Sequence, residues 1–258
     1  MRRVACIDIG TVTARLAVAD VEAGCVLRLA KHSEICNLGE GVDATGRLSR
    51  EAMGRVVACA RGYVDAAREA KAEAVCCTLT SAARDAENAC ELGAALDSLG
   101  LDPLVIPGEI EGALTFLGVA RDFPAARILV ADNGGGSTEL ALGSLRRDRV
   151  LDLGFVRSID VGCRRVTEKF LSASPLPSRA DLEAAHAFAA QGFSPAIEEG
   201  GLFAAGSDRA VEGAPERLVL CGGTVTSLVA ISLGLEPYDS SRVHLGRLSL
   251  EQVEELED

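Results

Sequence analysis

Two short loops carry most of the chemistry this chain could perform. One is Asp132-Asn133-Gly134-Gly135-Gly136-Ser137-Thr138-Glu139, three consecutive glycines flanked by two acids and two hydroxyl side chains. Glycine permits tight turns and close backbone approach, and successive free amides in such a turn form a concave anion site to which neighbouring hydroxyls add donors. The other, Asp8-Ile9-Gly10-Thr11-Val12-Thr13, repeats the same order of acid, glycine and hydroxyl. Gly10, Thr11 and Thr13 in one loop, and Gly134, Gly135, Gly136, Ser137 and Thr138 in the other, are therefore candidate phosphate donors. Asp8, Asp132 and Glu139 would repel a polyanion unless a divalent cation, Mg2+ or Mn2+, neutralised them, which makes these acids candidate metal ligands. Taken alone, each loop is also an ordinary glycine-rich hairpin turn.

Three further segments converge on the same chemistry. Thr80-Ser81-Ala82-Ala83-Arg84 lies where a strand gives way to a helix, a place suited to anions, with Arg84 as a fork-shaped donor. Gly222-Gly223-Thr224 occupies the corresponding strand-to-helix turn of the second half and adds three candidate phosphate donors. Glu109-Ile110-Glu111 opens a helix just after Pro107-Gly108. Acids in a first helical turn commonly serve the helix dipole, and that alternative stands beside a catalytic one.

The elements that must hold these loops follow from an internal repeat. Residues 3–18 and 127–142 align without gaps, sharing Arg, Asp, Gly, a Ser/Thr, Leu and Ala in register. Each copy is an apolar strand, a D-x-G turn and a second apolar strand. The first continues with a strand at 25–29, a helix at 49–70 with apolar residues at helical spacing, a strand at 74–80, a helix at 81–99, a strand at 104–106 and a helix at 109–119. The second continues with a strand at 149–157, helices at 161–171 and 178–191, a strand at 217–221 and a helix at 224–233. Asp122-Phe123-Pro124-Ala125 is the natural junction. The expectation is an α/β chain of two duplicated mixed-sheet domains, 1–124 and 125–258, with a ligand cleft between them.

Composition narrows the partners. The 258 residues are 48% hydrophobic but only 3% aromatic, with no Trp and a formal net charge of −12. That balance argues against nucleic acid, whose phosphates need a basic footprint and whose single strands need stacking platforms. Met1-Arg2-Arg3 leads into an apolar stretch too short for an export signal and interrupted by Asp8. The longest uncharged window, 218–235, is broken by glycines and hydroxyl residues. A cytoplasmic protein without a membrane span is expected. The nine cysteines are scattered, odd in number and free of C-x-x-C pairs, which suits small buried hydrophobes in a reducing compartment. The vicinal Cys76-Cys77 reads as part of a strand, with redox activity as its alternative.

Asp132-x-Gly-Gly-Gly-Ser-Thr-Glu139, with Ile7-Asp8-Ile9-Gly10 upstream, resembles the exopolyphosphatase/guanosine pentaphosphate phosphohydrolase (Ppx/GppA) family. Thr80-Ser81-Ala82-Ala83-Arg84-Asp85-Ala86, Val105-Ile106-Pro107-Gly108-Glu109-Ile110-Glu111, Val219-Leu220-Cys221-Gly222-Gly223-Thr224, Arg242-Val243-His244 and Arg247-Leu248-Ser249 fall in that family's order. The glycine turns alone are shared with sugar kinases, actin and Hsp70-type ATPases; the set together is specific. The resemblance implies the two-lobed ribonuclease-H-like ATPase fold and release of terminal phosphate from linear polyphosphate or guanosine pentaphosphate. It implies Glu111 as the water-activating carboxylate, Arg84 as a phosphate contact, and Asp132 and Glu139 as acids of the metal and phosphate loop. A homodimer is compatible with it.

Three departures from that pattern bear on substrate. Thr11-Val12-Thr13 replaces the family's Ser-Asn-Ser, Ala113 stands where an Arg is usual two residues after the catalytic Glu, and Asn133 replaces an Ile. A site with fewer cationic and amide donors should hold long polyanions less tightly. The chain also closes at Glu257-Asp258 within a helix opening at Ser249, so the family's further C-terminal helical segment is expected to be absent or truncated. Two rival readings remain: a catalytically weak sensor of polyphosphate or a guanosine alarmone, and a sugar or carboxylate kinase of the same superfold.

Overall fold

The computed structural model describes residues 1–202 and 214–257. In the first half, β1 (Arg2–Ile9), β2 (Thr13–Glu22) and β3 (Cys25–Ile35) form an antiparallel meander. A short turn of helix, α1 (Val42–Thr45), leads into α2 (Arg50–Glu69), then β4 (Ala74–Leu79), α3 (Ser81–Asp85), α4 (Ala89–Asp97), β5 (Pro103–Val105) and α5 (Gly108–Val119). The second half repeats the opening with β6 (Arg127–Asn133), β7 (Thr138–Leu145) and β8 (Leu151–Ile159). It continues through α6 (Cys163–Val166), a π-helical turn at Thr167–Leu171, α7 (Arg179–Gly200), β9 (Arg217–Cys221), α8 (Gly223–Ser232), α9 (Ser240–Val243) and α10 (Leu250–Glu257). No helix among the described residues is long and apolar enough to cross a membrane.

The strand orders are β3-β2-β1-β4-β5 and β8-β7-β6-β9, with β1–β4 and β6–β9 parallel. The expected duplication therefore extends to three dimensions, giving two mixed sheets of matching strand order; the second has four strands among the described residues. Register makes the repeat concrete. Asp8 faces Arg15 across the first hairpin, and Asp132 faces Glu139 across the second.

Burial patterns distinguish the sheets. In β1, Ala5, Ile7 and Ile9 are buried while Val4, Cys6 and Asp8 are half-buried, the alternation of a strand with one face on a core. That core is closed by α2, whose Val56, Cys59, Ala60, Tyr63, Val64 and Ala67 form one apolar stripe,. In β6, Ile128, Leu129, Val130 and Ala131 are all buried, because the second sheet is covered on both faces. Leu129 and Ala131 meet Ala196 and Leu202 on the α7 side, while Ile128 and Val130 meet Phe116 and Ala120 at the end of α5. Thus α5, although it precedes the 122–125 junction, packs on the second sheet. Its buried face is Gly108, Gly112 and Phe116, one residue per turn.

Several expected elements differ in extent. The helix expected over 81–99 is two pieces, because Asn88 is buried and spends its amide on the backbone of Leu48, accepting from its N–H and donating to its C=O. The third strand runs on to Ile35 as an exposed edge paired with β2, beyond the reach of an apolar signal. The helix expected to end near 191 continues to Gly200 through Pro195, its start secured by a Ser178–Asp181 capping box,.

Candidate active site

The two D-x-G hairpins close in the same way. Gly10 N–H donates to Thr13 O at 3.0 Å, and Gly134 N–H donates to Ser137 O at 2.9 Å. In each loop the carbonyls are tied back by a later segment. Thr11 O accepts from Gly39, and Val12 O from Cys36 and Asn37; Gly134 O accepts from Cys163, and Gly135 O from Arg164 and Arg165. With the carbonyls turned away, the amides of Thr11, Gly135 and Gly136 have no hydrogen-bond partner among the described residues. Outward amides and retracted carbonyls are what an anion nest requires.

The loops face each other across the halves. A Cβ on Gly136 would sit 2.4 Å from Ser81 Oγ and 2.9 Å from Thr11 Oγ1, and one on Gly135 would sit 2.6 Å from Val12 Cγ2. Only glycine allows this approach. Ser81 Oγ is buried without a hydrogen-bond partner among the described residues, at the start of α3 beside both loops.

Arg84, at the other end of α3, bridges the halves. Its Nη1 donates to Glu111 Oε2 at 2.8 Å and to Ile106 O at 3.1 Å, and its Nη2 donates to Ser137 Oγ at 3.3 Å and lies 3.6 Å from Glu139 Oε1. Glu139 is 2% exposed, and its Oε1 accepts from Ser137 Oγ at 2.8 Å and Ser158 Oγ at 2.7 Å. Glu111 reaches this cluster because α5 lies close on the second sheet. A Cβ on Gly108 would collide with Ser158, and one on Gly112 would press on Glu139 Cβ at 3.2 Å. Glu109, two residues before Glu111, is exposed.

Burial dominates the electrostatics. It raises the pKa of Glu139 to about 7, with the Glu111 charge adding to the effect and the two serine hydroxyls and Arg84 opposing it. Burial also raises Glu111, against the pull of Arg84, and Asp132, against a hydrogen bond from Thr115 Oγ1 at 3.0 Å. Asp8 and Asp132 both act on Glu111 through space, so the four acids share one cleft. Asp8 itself accepts from Thr78 Oγ1 at 3.2 Å and pairs with Arg15 at 3.4 Å.

The remaining expected residues are placed as follows. Gly222 abuts the end of β6 with φ of 104°, and a Cβ there would lie 2.1 Å from Asn133 O. Gly223 and Thr224 are exposed at the start of α8. Thr13 opens β2 and supplies the hairpin carbonyl. The hydroxyl of Thr138 is buried, donating to Val161 O and accepting from Asn133 Nδ2 at 2.9 Å.

Sequence reasoning missed Ser158 and Thr115, which orient Glu139 and Asp132, and Arg165. Arg165 donates from Nε to Gly136 O at 2.8 Å and from Nη1 to Asp43 at 2.6 Å, and also pairs with Asp85. It ties the glycine loop of the second half to two acids of the first. None of the three stands in a local motif, so only the folded chain identifies them.

The donor set bears on the expected cation. Among the described residues no group of three or more His, Cys, Asp or Glu side chains gathers as a closed metal cage. Mg2+ is ordinarily held by one or two carboxylates together with water and substrate phosphate oxygens. Asp8 and Asp132, at equivalent ends of β1 and β6 with Glu139 behind, fit that open mode.

The family model of the Ppx/GppA phosphatase family matches residues 17–210. Exopolyphosphatase 2 of Mycobacterium tuberculosis is 34% identical over 262 residues, covering 96% of this chain and 76% of that protein. A guanosine-5'-triphosphate,3'-diphosphate pyrophosphatase of Photobacterium profundum is 32% identical, over 76% of this chain and 38% of that protein. Among solved structures, an exopolyphosphatase-like protein superposes with a TM-score of 0.78 at 32% identity, covering 91% of this chain and 70% of that one. The Aquifex aeolicus member of the Ppx/GppA family gives 0.73 at 29%, covering 99% and 77%.

Proposed function

The chain belongs to the Ppx/GppA phosphatase family, and from that premise we propose that it releases the terminal phosphate of inorganic polyphosphate or guanosine pentaphosphate by direct attack of water. The observation that carries this reading is the Arg84 fork, which joins Glu111 on one side of the cleft to Ser137 on the other. A phosphate seated on the free amides of Thr11, Gly135 and Gly136 would lie beside the Ser81 and Thr11 hydroxyls and next to Ser137, which Arg84 contacts.

Phosphoryl transfer needs little covalent help from protein; it needs in-line placement and charge on the equatorial oxygens absorbed. The amides and Arg84 serve the second need. Glu111 serves the first, holding the attacking water and taking its proton. Burial raises its pKa while Arg84 at 2.8 Å opposes that rise, the kind of tuning a general base requires. Ser137 and Ser158 hold Glu139 against the same cluster. Asp8 and Asp132 are the groups that would hold Mg2+ or Mn2+, with the buried Glu139 behind them. When bound, such an ion supplies positive charge that offsets the repulsion between these acids and the substrate. The unpaired cysteines fit a reducing, cytoplasmic setting.

The test is incubation with Mg2+ and, separately, polyphosphate, guanosine pentaphosphate, and ATP with a sugar panel. Free phosphate from either of the first two supports the proposal. Tight binding without turnover makes the chain a sensor, and a phosphosugar makes it a kinase.

A further inference from the structure

The sequence draws attention to the neighbours Cys76 and Cys77, but in β4 they point to opposite faces. Cys77 is buried in the first core, whereas Cys76 is exposed. Its partner lies on another strand. Cys6 of β1 is paired in register with Cys76 across the parallel β1–β4 ladder, on the face opposite the core, so both side chains leave the sheet on the same side. Neighbouring strands lie about 4.7–4.9 Å apart, inside the roughly 4.4–6.8 Å Cα separation that a disulfide spans. The in-register pair therefore meets the Cα criterion for a disulfide,.

The position of the pair gives it a consequence. The next in-register pair on the same face is Asp8 with Thr78, linked by the Thr78 hydroxyl at 3.2 Å. A covalent tie at Cys6–Cys76 therefore acts one step away from an acid of the cleft. We propose that Cys6 and Cys76 are a disulfide-forming site through which a peroxide or a small-molecule disulfide slows turnover.

With hydrogen peroxide the chemistry is a two-electron oxidation. The exposed Cys76 sulfur, as thiolate, attacks one peroxide oxygen; the O–O bond breaks, water leaves after taking up a proton, and Cys76 becomes a sulfenic acid. The Cys6 sulfur then attacks the Cys76 sulfur, the S–S bond forms, and hydroxide leaves with the Cys6 proton as a second water. Overall, two thiols are oxidised and one peroxide is reduced to two waters. The bond itself is independent of the proposed function; only its effect on turnover rests on that reading.

The experiment treats the reduced, full-length chain with hydrogen peroxide and reads non-reduced peptide maps beside phosphate release. The expected map shows one intramolecular Cys6–Cys76 bond, formed in wild type and lost in both Cys6→Ser and Cys76→Ser. Phosphate release should fall severalfold on oxidation, recover with dithiothreitol, and be insensitive to peroxide in Cys6→Ser. A bond between other cysteines, a crosslink between chains through exposed Cys90, or oxidation of Cys76 to sulfinic acid with no bond overturns the site. A Cys6–Cys76 bond with undiminished turnover overturns the coupling to Asp8. A reduced enzyme that releases no phosphate from any substrate overturns the proposed function, and the map still decides the disulfide.

Discussion

Replacing Glu139 with Gln should make this protein more stable and less active, and the size of the first effect follows from the site. Burial raises the Glu139 pKa from an ordinary carboxylate value to about 7. Between those values the folded state holds a proton that the unfolded state has released, so stability falls as pH rises through that window. Each pKa step is worth about 1.4 kcal/mol, so the ionised side chain costs about 3 kcal/mol above pH 7. The amide introduced by Glu139→Gln keeps an oxygen for the Ser137 and Ser158 hydroxyls, at 2.8 and 2.7 Å in the parent, and carries no charge to desolvate. Urea unfolding at pH 8 should show Glu139→Gln more stable by about 3 kcal/mol, or roughly 6–10 °C in Tm for a chain of this size. At pH 4 the two proteins should coincide. Phosphate release should meanwhile fall about 10–100-fold, the loss typical when a group that supports a reacting centre is neutralised. A variant equal to or weaker than wild type at pH 8, with an unchanged pH slope, would refute this account of Glu139.

Four other outcomes are expected. Glu111→Gln should lower kcat by roughly two to four orders of magnitude with little change in KM, while exposed Glu109→Gln stays near wild type; steady-state phosphate release compares them. Arg84→Ala should raise KM and lower kcat together, because its fork serves both ground and transition states; an unchanged kcat/KM removes it from the site. Gly222→Ala should destabilise by about 1–3 kcal/mol, since its φ of 104° and a Cβ 2.1 Å from Asn133 O are both strained. Gly223→Ala, with open space around it, should be nearly neutral in thermal unfolding. Exhaustive chelation should abolish turnover and added Mg2+ restore it, because the cleft acids otherwise repel substrate; full activity after chelation excludes a cation.

What was legible in the sequence was local. The apolar strand opening at residue 3, the D-x-G turns and the helical spacing of apolar residues in 49–70 each announce themselves within one element, and the repeat joined the first two into one architecture. What escaped depended on partners far along the chain. Asn88 breaks a helix because of Leu48, and Arg84 meets Glu111, 27 positions further on, only once the chain has folded. Nothing before folding says that α5 belongs on the second sheet; the glycines at 108 and 112 are visible, but their purpose is not until Ser158 and Glu139 lie beneath them. Ser158, Thr115 and Arg165 are ordinary surface types by sequence, made specific by what they touch.

The duplication also explains how a symmetric frame yields an asymmetric site. Each hairpin contributes the same nest, closed by the same hydrogen bond and backed by the same strand order. Chemistry then enters where equivalent positions diverge. Opposite the turn acid, the first copy has Arg15 and the second Glu139; at the loop tips, Thr11 and Val12 stand against Gly135 and Gly136. Bulk on one tip and its absence on the other let the loops interlock, with Thr11 Oγ1 within 2.9 Å of where a Gly136 Cβ would be. Two identical loops could not approach in this way. The glycines of the second copy are therefore required by the side chains of the first, and substitution at Gly136 should disturb the joint between halves as much as the nest itself.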